Sequence, residues 1–212
     1  MNAITIDRRT DALLVVDIQN DFCTGGALAV PGGEMIIPAV NALMKRFETV
    51  VLTQDWHPAG HLSFASSHPQ AVPFAQIEVA YGSQTLWPDH CVQGTPGADF
   101  HPSLHTVPAR LIVRKGMTPR LDSYSGFYEN DRTTPTGLGP AIRDLGVRRV
   151  FLSGLATDFC VLYTALDARR LGFEVGLVRD ATRGIDLDGS VEAALEDMRA
   201  AGVIEVTSDD LF

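Results

Sequence analysis

The sequence predicts an α/β protein in three layers, a doubly wound and mostly parallel sheet with helices on both faces. Three observations carry this expectation. Short unbroken apolar runs recur along the chain, as in strands buried on both sides of a parallel sheet. Stretches with apolar residues three and four apart alternate with them, as in helices that cover such a sheet. The apolar runs end abruptly in polar residues, and open α/β sheets bind ligands at the carboxyl ends of their strands. The 212 residues, 45% of them apolar, suit a single domain with a sizeable core, so residues 1–212 are read as one unit.

The first strand is ALLVV at 12–16, which runs into Asp17-Ile18-Gln19-Asn20-Asp21-Phe22. After a loop at 25–33, Ile36, Val40, Leu43, Met44 and Phe47 mark a helix with one apolar face. VVLTQ at 50–54 is the second strand, and Asp55-Trp56-His57-Pro58 ends it. Residues 58–109 form a long irregular excursion, with Trp87-Pro88-Asp89-His90-Cys91 near its middle. Loops of that length inside a compact domain usually carry function. RLIVR at 110–114 is the third strand, followed by Lys115-Gly116 and a loop holding Asp122, Ser123 and Tyr124. A short helix over about 139–145 ends at Gly146.

The fourth strand, at 150–152, is expected to stop at Ser153-Gly154. From Thr157 the pattern turns helical, with Phe159, Leu162, Ala165 and Leu166 on one face, and it ends at Gly172. A fifth strand at 173–178 ends in Arg179-Asp180. Val191, Ala194, Leu195 and Met198 then mark a helix for which Ser190 is the expected N-cap. A peripheral strand at 203–206 closes the pattern.

A formal charge of -9 and a pI near 5.0 exclude the basic surface that nucleic acid or anionic membrane would require. No segment is long and apolar enough to span a bilayer, and the mostly polar stretch from Met1 to Thr10 does not read as a signal peptide. Three widely spaced cysteines suit reduced thiols rather than a disulfide framework. The expectation is a cytoplasmic protein acting on a small molecule.

Parallel strands would bring Asp17, Asp55 with His57, Lys115 and Cys160 to one edge. A cysteine in a strand–helix corner is ordinarily a small buried hydrophobe. At a helix N-terminus, however, the free N–H groups and the dipole favour a thiolate and can receive an oxyanion. Asp17 supplies a base for the thiol, and a lysine beside both would favour their charged forms. Asp55 and His57, two apart on a strand, can share a face. With a further imidazole, they suit a divalent ion such as Zn, Mn or Fe.

Taken together, Asp17 in its DIQNDF context, Asp55-Trp56-His57-Pro58, Trp87-Pro88-Asp89-His90-Cys91, Arg114-Lys115-Gly116 and GLATDFCV at 154–161 resemble the nicotinamidase/pyrazinamidase members of the isochorismatase-like hydrolases. The resemblance runs from about Ala12 to the last strand. It implies that Cys160 is a nucleophile, Asp17 a general base and acid, and Lys115 their electrostatic partner. It implies one divalent ion held by Asp55, His57 and His90, with Zn first and Mn or Fe as alternatives, and His61 outside its ligands. It further implies an oxyanion hole from the Ala156 and Cys160 N–H groups beside a cis Leu155–Ala156 bond. Phe22, Trp87, Tyr124 and Leu155 are expected around the substrate. The implied reaction is hydrolysis of nicotinamide to nicotinate and ammonia through a thioester, with pyrazinamide as a further substrate and NAD salvage as the setting. A homo-oligomer is left open.

Overall fold

The structure is a computed structural model that describes residues 3–212; the first two residues of the Met1–Thr10 stretch lie outside it. Its centre is a sheet built from β1 (Asp11–Val16), β2 (Thr49–Asp55), β5 (Leu111–Lys115), β6 (Arg149–Leu155), β7 (Glu174–Arg183) and β8 (Ile204–Val206). Between β2 and β5 lies a separate antiparallel hairpin of β3 (Gln76–Val79) and β4 (Gly82–Thr85). The strands of the large sheet lie in the order β5-β2-β1-β6-β7-β8, and every neighbouring pair is parallel. Every residue of β1 and β2 is buried, as continuous apolar runs require when both faces are covered.

Alternation along each strand splits the core in two. Leu13, Val15, Val50, Leu52 and Phe151 pack toward α1 (Ile37–Met44) on one face. Ala12, Leu14, Val16, Val51 and Leu152 pack toward α2 (Leu138–Asp144), α3 (Leu162–Arg170) and α4 (Ser190–Ala200) on the other. Connections from β1 step one way along the sheet and those from β6 step the other way. Right-handed crossovers then place their helices on opposite faces. The carboxyl ends of β1 and β6 thus flank the point where the winding reverses, the usual site of a ligand crevice. Among the described residues no helix is long and apolar enough to cross a membrane.

Four local expectations are corrected. The excursion at 58–109 is not wholly irregular, because it carries the β3–β4 hairpin. The strand β7 continues to Arg183 after a bulge in its pairing with β6. Ser190 is the first helical residue rather than the cap, and Gly189, at φ 83°, takes the cap position. The strand β6 does not stop at Ser153-Gly154 but runs on to Leu155. Gly154 sits opposite Val16 at φ 108°, and a Cβ there would lie 2.0 Å from the Val16 carbonyl oxygen. Glycine therefore lets the strand continue to the crevice instead of ending it.

Gly154→Ala should cost about 2–4 kcal/mol, combining a backbone clash with an unfavourable φ. Urea unfolding measures this, and a wild-type midpoint would contradict the close approach of β6 to β1.

Candidate active site

Four neighbouring strand ends deliver four chemical groups in strand order: Lys115 from β5, Asp55 from β2, Asp17 from β1, and Cys160 just beyond β6. Lys115 is fully buried and is opposite Asp55 in the β2–β5 register. Its Nζ lies 2.5 Å from Asp55 Oδ1, 2.9 Å from Asp17 Oδ2, 2.9 Å from the Ser123 carbonyl and 3.4 Å from Cys160 Sγ. Asp17 holds φ 47°, and its position is fixed by Thr53. The Asp17 N–H donates to Thr53 Oγ1 at 3.2 Å, and that hydroxyl donates to Asp17 Oδ1 at 2.6 Å. Asp17 Oδ2 touches the ammonium but receives no aligned hydrogen bond. That oxygen retains a lone pair for a proton.

The electrostatics follow from this packing. Burial works against charge on Lys115, yet Asp17 and Asp55 hold it protonated well above the usual lysine range. Burial also opposes ionisation of Asp55, but Lys115 and His57 hold its carboxyl well below the usual range. Burial pushes Asp17 up, with Lys115 pulling it back and Asp55 adding to the rise. The Cys160 thiol is likewise pushed well up by burial, with Lys115 opposing and the two carboxylates adding. This direction is opposite to the one expected of a helix N-terminus alone. Cys160 lies in a π-helical turn, Thr157–Val161, ahead of α3.

Asp55 has a second role. Its Oδ2 lies 3.6 Å from His57 Nε2 and 3.8 Å from His90 Nε2. The other nitrogens face carbonyls: His57 Nδ1 lies 3.0 Å from Gly116 O and His90 Nδ1 lies 2.8 Å from Pro88 O. A carbonyl can only accept, so each Nδ1 carries a proton, which leaves each Nε2 as the nitrogen that a neutral imidazole would offer to a metal. Two imidazoles and a carboxylate at this spacing fit a divalent ion with bonds of about 2.1 Å. His61 stacks on His57 at 4.4 Å between ring centres. Its Nε2 faces the Thr118 and Leu121 carbonyls, and its Nδ1 lies 2.8 Å from Ser63 Oγ. Both nitrogens thus have polar partners, and His61 also stands close enough to His57 and Asp122 for the three to hold one ion.

A cavity lined by Phe22, Trp87, Tyr124, Phe159, Ala156 and Ile185 opens above Cys160 and the Asp55–His57–His90 group. The Trp87 ring stands perpendicular to Phe159 at 4.8 Å, and its Nε1 donates to Tyr124 Oη at 3.2 Å. Phe22, Trp87 and Tyr124 are thus where the sequence puts them. Leu155 is not: it is fully buried in the core on the α1 face, close to Gly33. The Leu155–Ala156 peptide bond is cis. Among the described residues the Ala156 N–H meets no acceptor, whereas the Ala156 carbonyl accepts from Phe159 and Val161.

Several residues that position this site escaped sequence reasoning. Gln19 accepts from the Asp55 N–H at 2.8 Å and donates to the Asp55 carbonyl at 2.8 Å, locking the β2 tip to β1. Asp21 accepts from the Cys91 N–H at 2.7 Å, beside His90. Asp158 accepts from the N–H groups of Ile185 and Asp186 and from the Ser190 hydroxyl, anchoring the Cys160 turn. All three belong to the motifs already singled out, and their polarity at buried strand tips was the available signal.

The isochorismatase-domain family model matches residues 11–210. The chain belongs to the isochorismatase-domain family. Within it, the chain is 48% identical to a nicotinamidase of Acinetobacter baylyi, over 95% of this chain and 94% of the relative. Among solved structures it is similar to a nicotinamidase pyrazinamidase of Acinetobacter baumanii, with TM-score 0.95, 51% identity, and 97% and 99% of the two chains covered. A protein of L. infantum in complex with nicotinate matches with TM-score 0.88 and 40% identity, covering 99% of this chain and 98% of that one. A pyrazinamidase of Pyrococcus horikoshii in complex with zinc matches with TM-score 0.76 and 42% identity, covering 93% and 98%.

Gly116 tests the metal reading without touching a ligand. A Cβ at this residue would lie 2.4 Å from His57 Cε1 and 2.6 Å from Nδ1. Gly116→Ala should displace the imidazole and weaken metal binding by roughly 10-fold or more, read by elemental analysis after dialysis. Full metal occupancy would contradict the assignment.

Proposed function

We propose that the protein hydrolyses nicotinamide to nicotinate and ammonia, with Cys160 as nucleophile, Asp17 as general base and acid, and Lys115 as their electrostatic partner. The observation that carries this reading is the single buried ammonium in contact with Asp17, Asp55 and Cys160 Sγ. The neighbouring nicotinamidase, nicotinate-bound and zinc-bound relatives support the substrate class and the metal.

Asp17 takes the thiol proton, and the sulfur attacks the carboxamide carbon, forming an S–C bond. The proton moves within the cluster, so its total charge does not change, which a buried site requires. The developing oxyanion is received by the Ala156 N–H, with the Cys160 N–H as second donor. Asp17 then returns the proton to the departing amide nitrogen as the C–N bond breaks and ammonia leaves. Water, deprotonated by Asp17, attacks the thioester carbon. The S–C bond breaks, nicotinate forms, and Cys160 regains its proton.

Phe22, Trp87 and Tyr124 flank the heteroaromatic ring. Asp55, His57 and His90 would hold one divalent ion, zinc by preference, which would supply Lewis acidity toward the ring nitrogen. Pyrazinamide presents the same ring nitrogen and carboxamide and is a further substrate.

Ammonia release from nicotinamide tests this assignment. Cys160→Ala should lower turnover by roughly 10^4-fold or more while keeping the fold and metal content. Near-wild-type turnover would refute the nucleophile. The pH profile gives a second check. Asp17 must be ionised to accept the proton, and burial holds its carboxyl above the usual range. Loss of kcat/KM on acidification should therefore set in at a higher pH than an ordinary carboxylate gives; an acid limb at or below the usual carboxylate pKa would contradict it.

A further inference from the structure

Asp122 is a buried carboxylate that the reaction above does not use, yet it lines the same cavity as Cys160 and the three metal-binding side chains. Its Oδ1 accepts from the Ser123 N–H at 2.8 Å, and its Oδ2 accepts from Gln84 Nε2 at 2.7 Å. The Gln84 amide is oriented by the Thr85 carbonyl, to which its Nε2 also donates at 2.7 Å. Both Asp122 oxygens are therefore acceptors, the pattern of an ionised carboxylate. Asp122 Oδ1 lies 3.9 Å from His57 Nε2, the nitrogen that faces Asp55. It does not join the Asp55–His57–His90 group, but with His57 and His61 it forms a neighbouring set whose ligand atoms also lie close together.

Charge balance gives this placement its meaning. Asp55 and Asp122 line the cavity, and beneath them lie Asp17 and the Lys115 ammonium that contacts Asp55, which makes three buried carboxylates and one buried ammonium. His57 and His90 are neutral when they act as ligands. The protein side therefore carries a net charge of two negatives, the complement of a divalent cation. Without Asp122 the loaded site would hold an uncompensated positive charge away from water, which is costly. Glu129, the other buried carboxyl of this loop, lines a different cavity, and burial pushes its carboxyl up toward the neutral form.

We propose that Asp122 is the charge-balancing carboxylate of the metal centre, fixed by Gln84 and Ser123 beside His57 and setting the affinity for a divalent ion without joining the Asp55–His57–His90 group. The inference rests on the reading of that group as a metal site, and the experiment separates the two. Zn2+ and Mn2+ affinities of the metal-free wild type, Asp122→Asn, Asp122→Ser and Asp122→Glu are measured by competition with a chromophoric chelator. Thermal unfolding of each is recorded with and without metal. Asp122→Asn and Asp122→Ser should bind both ions 10- to 100-fold more weakly, and either variant alone suffices. Asp122→Glu, which keeps the charge, should stay within about threefold of wild type. Metal should raise the unfolding midpoint less in the two neutral variants, whose metal-free midpoints match wild type. Wild-type affinity in the neutral variants would overturn the proposal, as would a fall in the metal-free midpoint that accounts for the whole effect. A wild type that binds neither ion would overturn the metal site itself.

Discussion

The structure depends on one buried ammonium. Lys115 has no access to solvent and is surrounded by Asp17, Asp55, the Ser123 carbonyl and the Cys160 thiol. Taking a charge out of water costs several kcal/mol, which only close counter-charges and full hydrogen bonding return. That demand fixes the tips of β5, β2 and β1 relative to one another and to the turn after β6. The strand order Lys115, Asp55, Asp17, Cys160 makes this arrangement compact, because each group sits at or just beyond the end of a strand adjacent to the next. Removing the lysine would leave two buried carboxylates facing each other, a loss of about 3–5 kcal/mol.

Asp55 joins this cluster to the metal group. One of its oxygens is held by Lys115 and the other faces His57 and His90. The Lys115 cluster and the Asp55–His57–His90 group thus share a single side chain, and its main chain is clamped in turn by Gln19. Cys160 is placed differently: it lines the cavity, and burial pushes its thiol up while the Lys115 ammonium opposes the rise.

The fold was legible because its strands are the easy kind. ALLVV and VVLTQ are buried on both faces and read directly as a parallel sheet. The chemistry was legible at the strand tips, where Asp17, Asp55, His57, Lys115 and Cys160 interrupt apolar runs. Other features were hidden for physical reasons. Gly154 looks like a breaker in sequence, and only the approach of the Val16 backbone shows that it lets β6 continue. Leu155 lies between two motif residues, yet strand alternation turns it into the core. Asp122 has no periodic context, and its meaning arises only when the long excursion folds back and Gln84 reaches it.

The proposed reaction passes through a covalent acyl intermediate on Cys160. The most direct measurement is rapid acid quenching during turnover of nicotinamide, followed by peptide mass spectrometry. The proposed mechanism predicts a nicotinoyl group on the peptide that contains Cys160, and none on those containing Cys23 or Cys91, neither of which lines the cavity. Steady turnover with no adduct at Cys160 under any quench time would contradict it.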